Sequence, residues 1–575
     1  MLVYGDGERQ ADPAELRAAI ADALAECLAA PPGLARHQWL VGAFILAGEL
    51  AQGLADARFA NAGTDGWSAA DITESKFLLA LAKAVAHSWE SGFAASPALP
   101  PNWRELLAAL AGLSPITVRR PEGYAFYALY PEAYSVAAKR SGLGPRTRVI
   151  GIRSIGTGLS AMVAAGLDAA PPVTLRPAGH PFGRRPEISR ELATHILGDP
   201  ETDFAIVDEG PGLSGSSFGG VADWLAEHGV SEERLHFFPG HDGPLGPQAR
   251  PDHRARWERR PRHVVDFDAL ILHAGRAEHQ LERWLCGLLG PLQGPLEDIS
   301  GGDWRKLRPG SFPPADGRLE RRKFLVHANG RRFLVKFAGL GMDAAHRLAR
   351  AQKLATAGFS PRPIGLCHGF LVEEWQEGTP LDPRTGDRAA LIERTAAYIA
   401  FRTLHLPADA PGAGPSALAS MAVANTREAL GELHAARLEA ALADIGNLPV
   451  HPVDTDNRMH AWEWLITTDG RLLKTDALDH SSAHDLVGRQ DPAWDIAGAM
   501  VELDLSSEER NALVQRIGQL VGHSVDHRLL QAMESCYLAF QLGLWTFAAG
   551  SGDELCREQV GRYAGLLRRL IEAPA

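Results

Sequence analysis

The sequence predicts a multidomain α/β protein: a helical unit at the N-terminus, a doubly wound parallel sheet in the middle and a mixed α+β unit at the C-terminus. Three observations carry this. The chain has 575 residues, several times the roughly 150 of a typical domain. After Pro115, short β-branched runs alternate with helical segments, the pattern of a sheet wound with helices. Near Arg318 the texture changes again, to a hairpin followed by long helices.

Residues 1–112 read as helical. Ala14–Ala30, Gln38–Leu54, Ala69–Ser91 and Trp103–Leu113 carry apolar residues at three- and four-residue spacing, separated by Pro- or Gly-containing breaks. They hold no reactive constellation, and a packing or covering role is expected. In residues 113–290, the runs Arg148–Ile152, Val173–Leu175, Phe204–Val207 and Leu235–Phe238 predict strands. Leu159–Leu167, Ile188–Ile196 and Phe218–His228 predict the helices between them, and Ala269–Leu288 a connecting helix. The Gly/Pro-rich stretch within 291–317 reads as a linker. In residues 318–575, Arg322–Ala328 and Arg331–Phe337 predict a hairpin turning at Asn329-Gly330. A helix over Ala344–Ala357, a strand over Gly369–Trp375 and a mostly helical remainder follow.

Composition narrows the function. Hydrophobic residues are 45% and charged residues 22%, which excludes extensive disorder, and the formal net charge of −12 argues against a nucleic-acid-binding face. The five cysteines have no CxxC spacing, which excludes a disulfide framework and a Cys-based zinc site and fits a reducing compartment. No secretory signal is visible at the N-terminus, and no run of 18 apolar residues is found on which to expect a membrane span. A cytoplasmic enzyme acting on small molecules is expected, without nucleic acid or membrane partners; a homo-oligomer is left open.

The most informative stretch runs from Phe204 to Phe218. An apolar strand ends in the acid pair Asp208-Glu209, followed by a small-residue loop and a helix start. Backbone N–H groups of Ser214, Gly215, Ser216 and Ser217 and the helix dipole can surround a phosphate. The two carboxylates can take ribose hydroxyls or a hydrated Mg²⁺. This stretch resembles the phosphoribosyl-pyrophosphate motif of type I phosphoribosyltransferases, although the spacer Gly210–Leu213 is longer by a residue than usual. A second strand end, with Arg153, Ser154, Gly156 and Thr157, resembles that family's pyrophosphate loop. Between the two, Arg176, His180, Arg184 and Arg185 lie where the family has a mobile loop. The resemblance implies Asp208 and Glu209 as ribose ligands in the catalytic site, with Arg153, Ser154, Gly156, Thr157, Arg184 and Arg185 binding substrate. Tyr124, Tyr127, Tyr130 and Tyr134 are expected mainly as core, with stacking on an acceptor the lesser reading.

The C-terminal part resembles aminoglycoside phosphotransferases and related small-molecule kinases, a bilobal kinase-like frame. Lys336, inside an apolar strand, needs an anion; the resemblance makes it the ATP-phosphate lysine and places Glu373 and Trp375 in the adenine-binding hinge. It makes Asp456 the base, with Asp454 as the near alternative, and Asp476 the metal ligand, with Asp479 as its alternative. Asp491-Pro-Ala-Trp-Asp495 matches the segment whose second acid supports the catalytic loop. This sequence departs from the family where a metal-binding Asn is expected: Asp456 leads there to Ala461, Asn457 is displaced, and His460 is a substitute. The helix after Lys336 offers Gln352 rather than a Glu. Together these resemblances imply Mg²⁺-dependent phosphoribosyl transfer from phosphoribosyl pyrophosphate to an unknown acceptor, with a kinase-like domain using ATP on acceptor or product. The alternatives are a small-molecule kinase whose middle domain only binds ligand, and a non-catalytic nucleotide sensor.

Overall fold

The computed structural model describes residues 1–573 apart from positions 6, 113, 213, 308–311, 409 and 551. Its architecture is mixed α/β. At the centre lies a sheet of four parallel strands, in the spatial order Val173–Leu175, Arg148–Ile152, Phe204–Val207, Leu235–Phe238. Alternate residues of these strands face opposite ways, and both faces are apolar. Phe204 and Ile206 pack with Phe218, Val221 and Trp257 on one side. Ala205 and Val207 join a different core on the other. A sheet apolar on both faces must be covered on both.

The second cover comes from an unexpected quarter. Helix Gly156–Leu167, apolar all round, lies on that face, and Leu34–Ala62 and Ala69–Glu90 of the first 112 residues pack on it in turn. Two glycines let the helices approach: a Cβ on Gly48 would stand 3.7 Å from the Gly158 Cα. The N-terminal helices therefore share one core with the sheet, and the expected boundary at 112/113 runs through that core rather than between two packing units. Leu34–Ala62 is, among the described residues, the one helix long and apolar enough to cross a membrane, although it holds no unbroken run of 18 apolar residues; 78% of its apolar window is buried inside the protein.

Two further features depart from expectation. The first residues reach far along the chain. Glu8–Ala11 pairs antiparallel with Ile116–Arg119, Val3 O accepts from Leu486 N at 2.8 Å, and Asn425 Nδ2 donates to Leu2 O at 2.9 Å. The helix expected over Ala269–Leu288 is broken into a short turn at Asp268–Leu272 and a helix at Leu281–Leu289. Between them the His279 ring stacks on Trp89 at 3.9 Å and holds its carbonyl, which outweighs continuous helix.

In the C-terminal part, five antiparallel strands run in the order Pro363–Cys367, Phe370–Glu374, Arg331–Phe337, Lys323–Ala328, Glu297–Asp298. The hairpin turns at Asn329 and Gly330, both at positive φ (52° and 71°), as an Asn-Gly turn requires. Glu297–Asp298 belongs to the stretch read as a linker, of which 308–311 lie outside the described residues. Phe324, Val326, Phe333, Val335 and Phe337 join the core of the N-terminal helices, so the back of this sheet is pressed against the middle of the chain. Its other face meets a helical lobe with its own core, built from helices including Arg388–His405, Ala493–Glu502 and His527–Ala549.

Charge pairs join the N-terminal helices to the parallel sheet. Arg153 Nε meets Asp56 Oδ1 at 2.9 Å and its Nη2 meets Asp65 Oδ1 at 2.5 Å, while Arg176 Nε takes Asp56 at 2.9 Å. The Arg153 and Asp65 side chains are 3% and 2% exposed. Breaking a buried pair strands its partner, so Arg153→Met is expected to lower the unfolding free energy by about 3 kcal/mol. Urea denaturation at neutral pH measures it, and an unchanged midpoint would refute the tie between helices and sheet.

Candidate functional site

Asp208 and Glu209 follow Phe204–Val207 at its carboxyl end, at the crevice where strand order reverses and where doubly wound sheets take ligands. In this chain the crevice holds the protein's own groups. Gly123 N donates to Glu209 Oε2 at 2.8 Å, Glu209 N donates to Asp208 Oδ1 at 2.8 Å, and the Tyr134 hydroxyl donates to the Asp208 carbonyl at 2.9 Å. Gly156 is so close that a Cβ there would lie 2.7 Å from Val207 O. Burial pushes the Asp208 carboxyl up to about 7 and that of Glu209 up to about 8, with the Glu122 charge adding to the second.

The neighbouring turn is also engaged. The Ser214 and Ser216 hydroxyls both donate to the Pro181 carbonyl, at 2.8 and 2.5 Å. Gly215 adopts φ 59° at the start of helix Ser216–Glu227, with Leu245 where a side chain would stand. Arg184 Nη1 reaches Ser217 Oγ at 3.2 Å, and Arg185 pairs with Glu227 at 3.3 Å. The basic loop and the serine turn are thus brought together, but by pairing with one another. Leu213 of the spacer lies outside the described residues.

The expectation that Arg153 binds pyrophosphate is corrected: its guanidinium is consumed by Asp56 and Asp65. Arg176 is likewise held by Asp56. Ser154 faces a small crevice beside Phe44 and Tyr124, while Thr157 is 3% exposed with its hydroxyl unpartnered. His180 and His241 accept from the nearby backbone N–H groups of Phe182 and Gly243. Neither of the two large cavities includes any residue of 208–217. Tyr124, Tyr130 and Tyr134 are core; Tyr127 alone of the four is exposed, and it turns toward a different cleft.

That cleft, about 230 Å³, lies between the five-stranded sheet and the helical lobe. Its walls carry Tyr127, Trp304, Trp375, Trp462 and Trp545. Lys336 enters from strand Arg331–Phe337 and meets Asp476 Oδ1 at 2.5 Å and Asp479 more closely still. Burial alone would lower the lysine's pKa; the two acids hold it above its ordinary value, and Lys336 and His480 in turn hold Asp476 well below the carboxylate range. Glu373, on the adjacent strand, is 6% exposed and lines the same cleft, its carboxyl pushed by burial up to about 8. Trp375 N donates to Arg332 O at 3.0 Å where the chain leaves the sheet.

Helix Met342–Thr356 behaves differently from the expected partner of Lys336. Gln352 is exposed, and the inward positions are Arg347 and Arg350. Arg347 Nε lies 3.4 Å from Asp479, and Arg350 pairs with Asp454. Asp454 also accepts from Ser481 Oγ at 2.6 Å and is 4% exposed.

Asp456 does not open into the cleft, which corrects its reading as the base. It is 1% exposed, and its oxygens are taken by the Tyr398 hydroxyl at 2.5 Å and the Lys474 ammonium at 3.2 Å. Asp495 accepts from the backbone N–H of Asp456 at 2.7 Å and of Asn457 at 2.8 Å, supporting the loop from below. Asn457, at φ 69°, spends its amide on Gly488 O. His460 lines the cleft and stacks on Trp462 at 4.4 Å.

Two residues missed in the sequence stand in the cleft instead: Glu463, in the turn before strand Trp464–Thr467, and His480. Asp456, Glu463 and His480 present ligand atoms within 4.8 Å of one another. Lys474, fully buried, lies between two of them, 2.6 Å from Glu463 and 3.2 Å from Asp456. An acid directly before an apolar strand was the available signal for Glu463.

No protein-family profile matches the chain, and no curated protein does. Solved structures are similar over about half of the chain. Choline kinase LicA from Streptococcus pneumoniae is 16% identical, with a TM-score of 0.35, over 44% of this chain and 90% of that one. Macrolide 2′-phosphotransferase MphH from Brachybacterium faecium is 16% identical, with a TM-score of 0.33, over 51% and 97%. A thermostable mutant of aminoglycoside phosphotransferase APH(4)-Ia is 13% identical, with a TM-score of 0.32, over 51% and 100%. At such values the likeness says nothing of activity.

The raised carboxyls at the crevice predict a pH dependence. Asp208 and Glu209 keep their protons in the fold at pH values where the unfolded chain, near 3.8 and 4.5, has released them. The stability they contribute is complete below those unfolded values and is lost as pH rises toward 7 and 8. Glu209→Gln is therefore expected to flatten the fall in melting temperature across that window. An unaltered slope in thermal scans would contradict the buried, protonated state.

Proposed function

We propose that the chain is a small-molecule kinase that transfers the terminal phosphoryl group of ATP to a hydroxyl-bearing acceptor in the cleft between the five-stranded sheet and the helical lobe. The observation that carries this is Lys336 Nζ standing 2.5 Å from Asp476 and in contact with Asp479, a cation from one lobe meeting two acids from the other inside an aromatic-walled cleft. Phosphoryl transfer is positioning plus charge neutralisation, and it needs a cation for the phosphates beside carboxylates for a divalent ion. With nucleotide bound, Lys336 exchanges its acids for phosphate oxygens. Trp375 and the end of strand Phe370–Glu374 flank the base.

The donor set suits Mg²⁺: Asp476 and Asp479 are both oxygen ligands, both line the cleft, and share the Lys336 ammonium, which a divalent ion can replace, while Arg321 and Arg347 also stand beside Asp479. Bound there, Mg²⁺ would neutralise phosphate charge. Glu463 is the base in this reading. Burial raises its pKa, the Lys474 charge opposing, and a raised carboxyl is the better proton acceptor. Asp456, locked by Tyr398 and Lys474, holds the loop in place.

Phosphoribosyl transfer is not adopted. The hydroxyls meant for a 5′-phosphate are spent on Pro181, Glu209 is held by Gly123, and Arg153 is held by two acids. The cytoplasm remains the expected compartment.

Incubation with ATP, Mg²⁺ and pooled hydroxyl metabolites is expected to release ADP, with Lys336→Met and Asp476→Asn each reducing the rate by about 10²–10³-fold, the scale of losing one electrostatic stabiliser. The same incubation with phosphoribosyl pyrophosphate is expected to release no pyrophosphate. Pyrophosphate release without ADP would replace this reading with the phosphoribosyl one. ADP formation unaffected by Lys336→Met would remove the cleft from the chemistry.

A further inference from the structure

Outside the cleft lining, three side chains from distant parts of the sequence converge in the buried interior. His37 comes from helix Leu34–Ala62, Glu132 from helix Pro131–Arg140, and His368 from the tight turn between strands Pro363–Cys367 and Phe370–Glu374. The helical unit, the middle of the chain and the C-terminal sheet each contribute one. Their side chains are 0%, 0% and 2% exposed. His37 Nε2 lies 2.7 Å from Glu132 Oε1, and His368 Nε2 lies 3.4 Å from the same oxygen.

We propose that His37, Glu132 and His368 form a structural site for a borderline divalent cation, Zn²⁺ by ligand preference, that clamps the three parts of the chain together. Three observations support it. The ligand atoms all lie within 4.8 Å of one another. Ligands about 2.0–2.1 Å from a tetrahedral ion stand roughly 3.3 Å apart, so seating one needs little more than opening the closer contact. Second, two polar atoms aimed into the cluster, Glu132 Oε2 and His368 Nε2, are buried with no hydrogen-bond partner, a costly arrangement that a bound ion relieves.

Third, His37 Nδ1 lies 3.0 Å from Ser88 Oγ. With an ion seated, donating there would free the Nε2 lone pair to face it, the usual outer support of a metal-bound imidazole. Two imidazoles and one carboxylate are donors that zinc, cobalt and nickel share and that magnesium and calcium do not favour. The site is closed to solvent, so the fourth position falls to the unpartnered second oxygen of Glu132 and the role of the ion is to hold the fold. It is independent of the cleft chemistry.

The test uses the full, untagged chain expressed with zinc. Metal analysis is expected to find one zinc per chain. Co²⁺ exchanged into its place should give the intense visible bands of tetrahedral coordination, and a strong chelator should lower the melting temperature. His368→Gln and Glu132→Gln should abolish all three effects, and Ser88→Ala should weaken zinc affinity by about 10–100-fold. His480→Ala, in the separate cluster with Asp456 and Glu463, should leave them intact. If the variants at 132 and 368 do not fold, X-ray absorption on the wild-type zinc protein decides, two imidazoles supporting the assignment and fewer overturning it. A metal-free wild type indifferent to chelator overturns it, as does zinc retained in both variants; the cluster is then a buried hydrogen-bond network only.

Discussion

A parallel sheet apolar on both faces cannot stand uncovered, and the rest of this molecule follows from how the second face is closed. The cover is Gly156–Leu167, overlaid by Leu34–Ala62 and Ala69–Glu90. Once those helices are docked, every charge at the seam must be paired. Arg153 and Arg176 take Asp56 and Asp65, and a strand end that reads as an anion loop becomes a joint. The switch-point crevice beside it is filled by residues 123–134 of the same chain.

The C-terminal cleft is governed by the same rule in another form. In a water-poor space an unpaired charge is far more costly than a paired one. Lys336 and Lys474 each sit between two acids, and the helix that follows the lysine strand supplies arginines to Asp479 and Asp454. The acids are thereby set in two ranks. Asp454 and Asp456 are fully engaged away from the opening, while Glu463, Asp476 and Asp479 line it. Which carboxylate can meet a ligand is decided by this ranking rather than by the order of acids in the chain.

Local signals in the sequence were sufficient for many of the elements. The four runs of the parallel sheet occur as strands with the bounds read from their β-branched, apolar composition, because a strand buried on both faces needs an unbroken apolar run. Asn329-Gly330 turns a hairpin because both positions need positive φ. Asp495 supports the loop at Asp456 as the matching segment implied. The strands Gly378–Pro380 and Glu297–Asp298 carry no such signal, being too short to show a period.

Sequence by itself determined many of the element types, the need of Lys336 in its apolar strand for an anion, and the lack of any cysteine spacing for a disulfide framework. Only the tertiary structure decided that the first 112 residues share the core of the sheet, that Glu463 and not Asp456 faces the cleft, and that His37, Glu132 and His368 meet. The reason is physical. Propensity and periodicity are set by neighbours along the chain, whereas the pairing of a buried charge is set by whatever packing brings to it, and packing joins residues whose separation in sequence carries no trace of their contact.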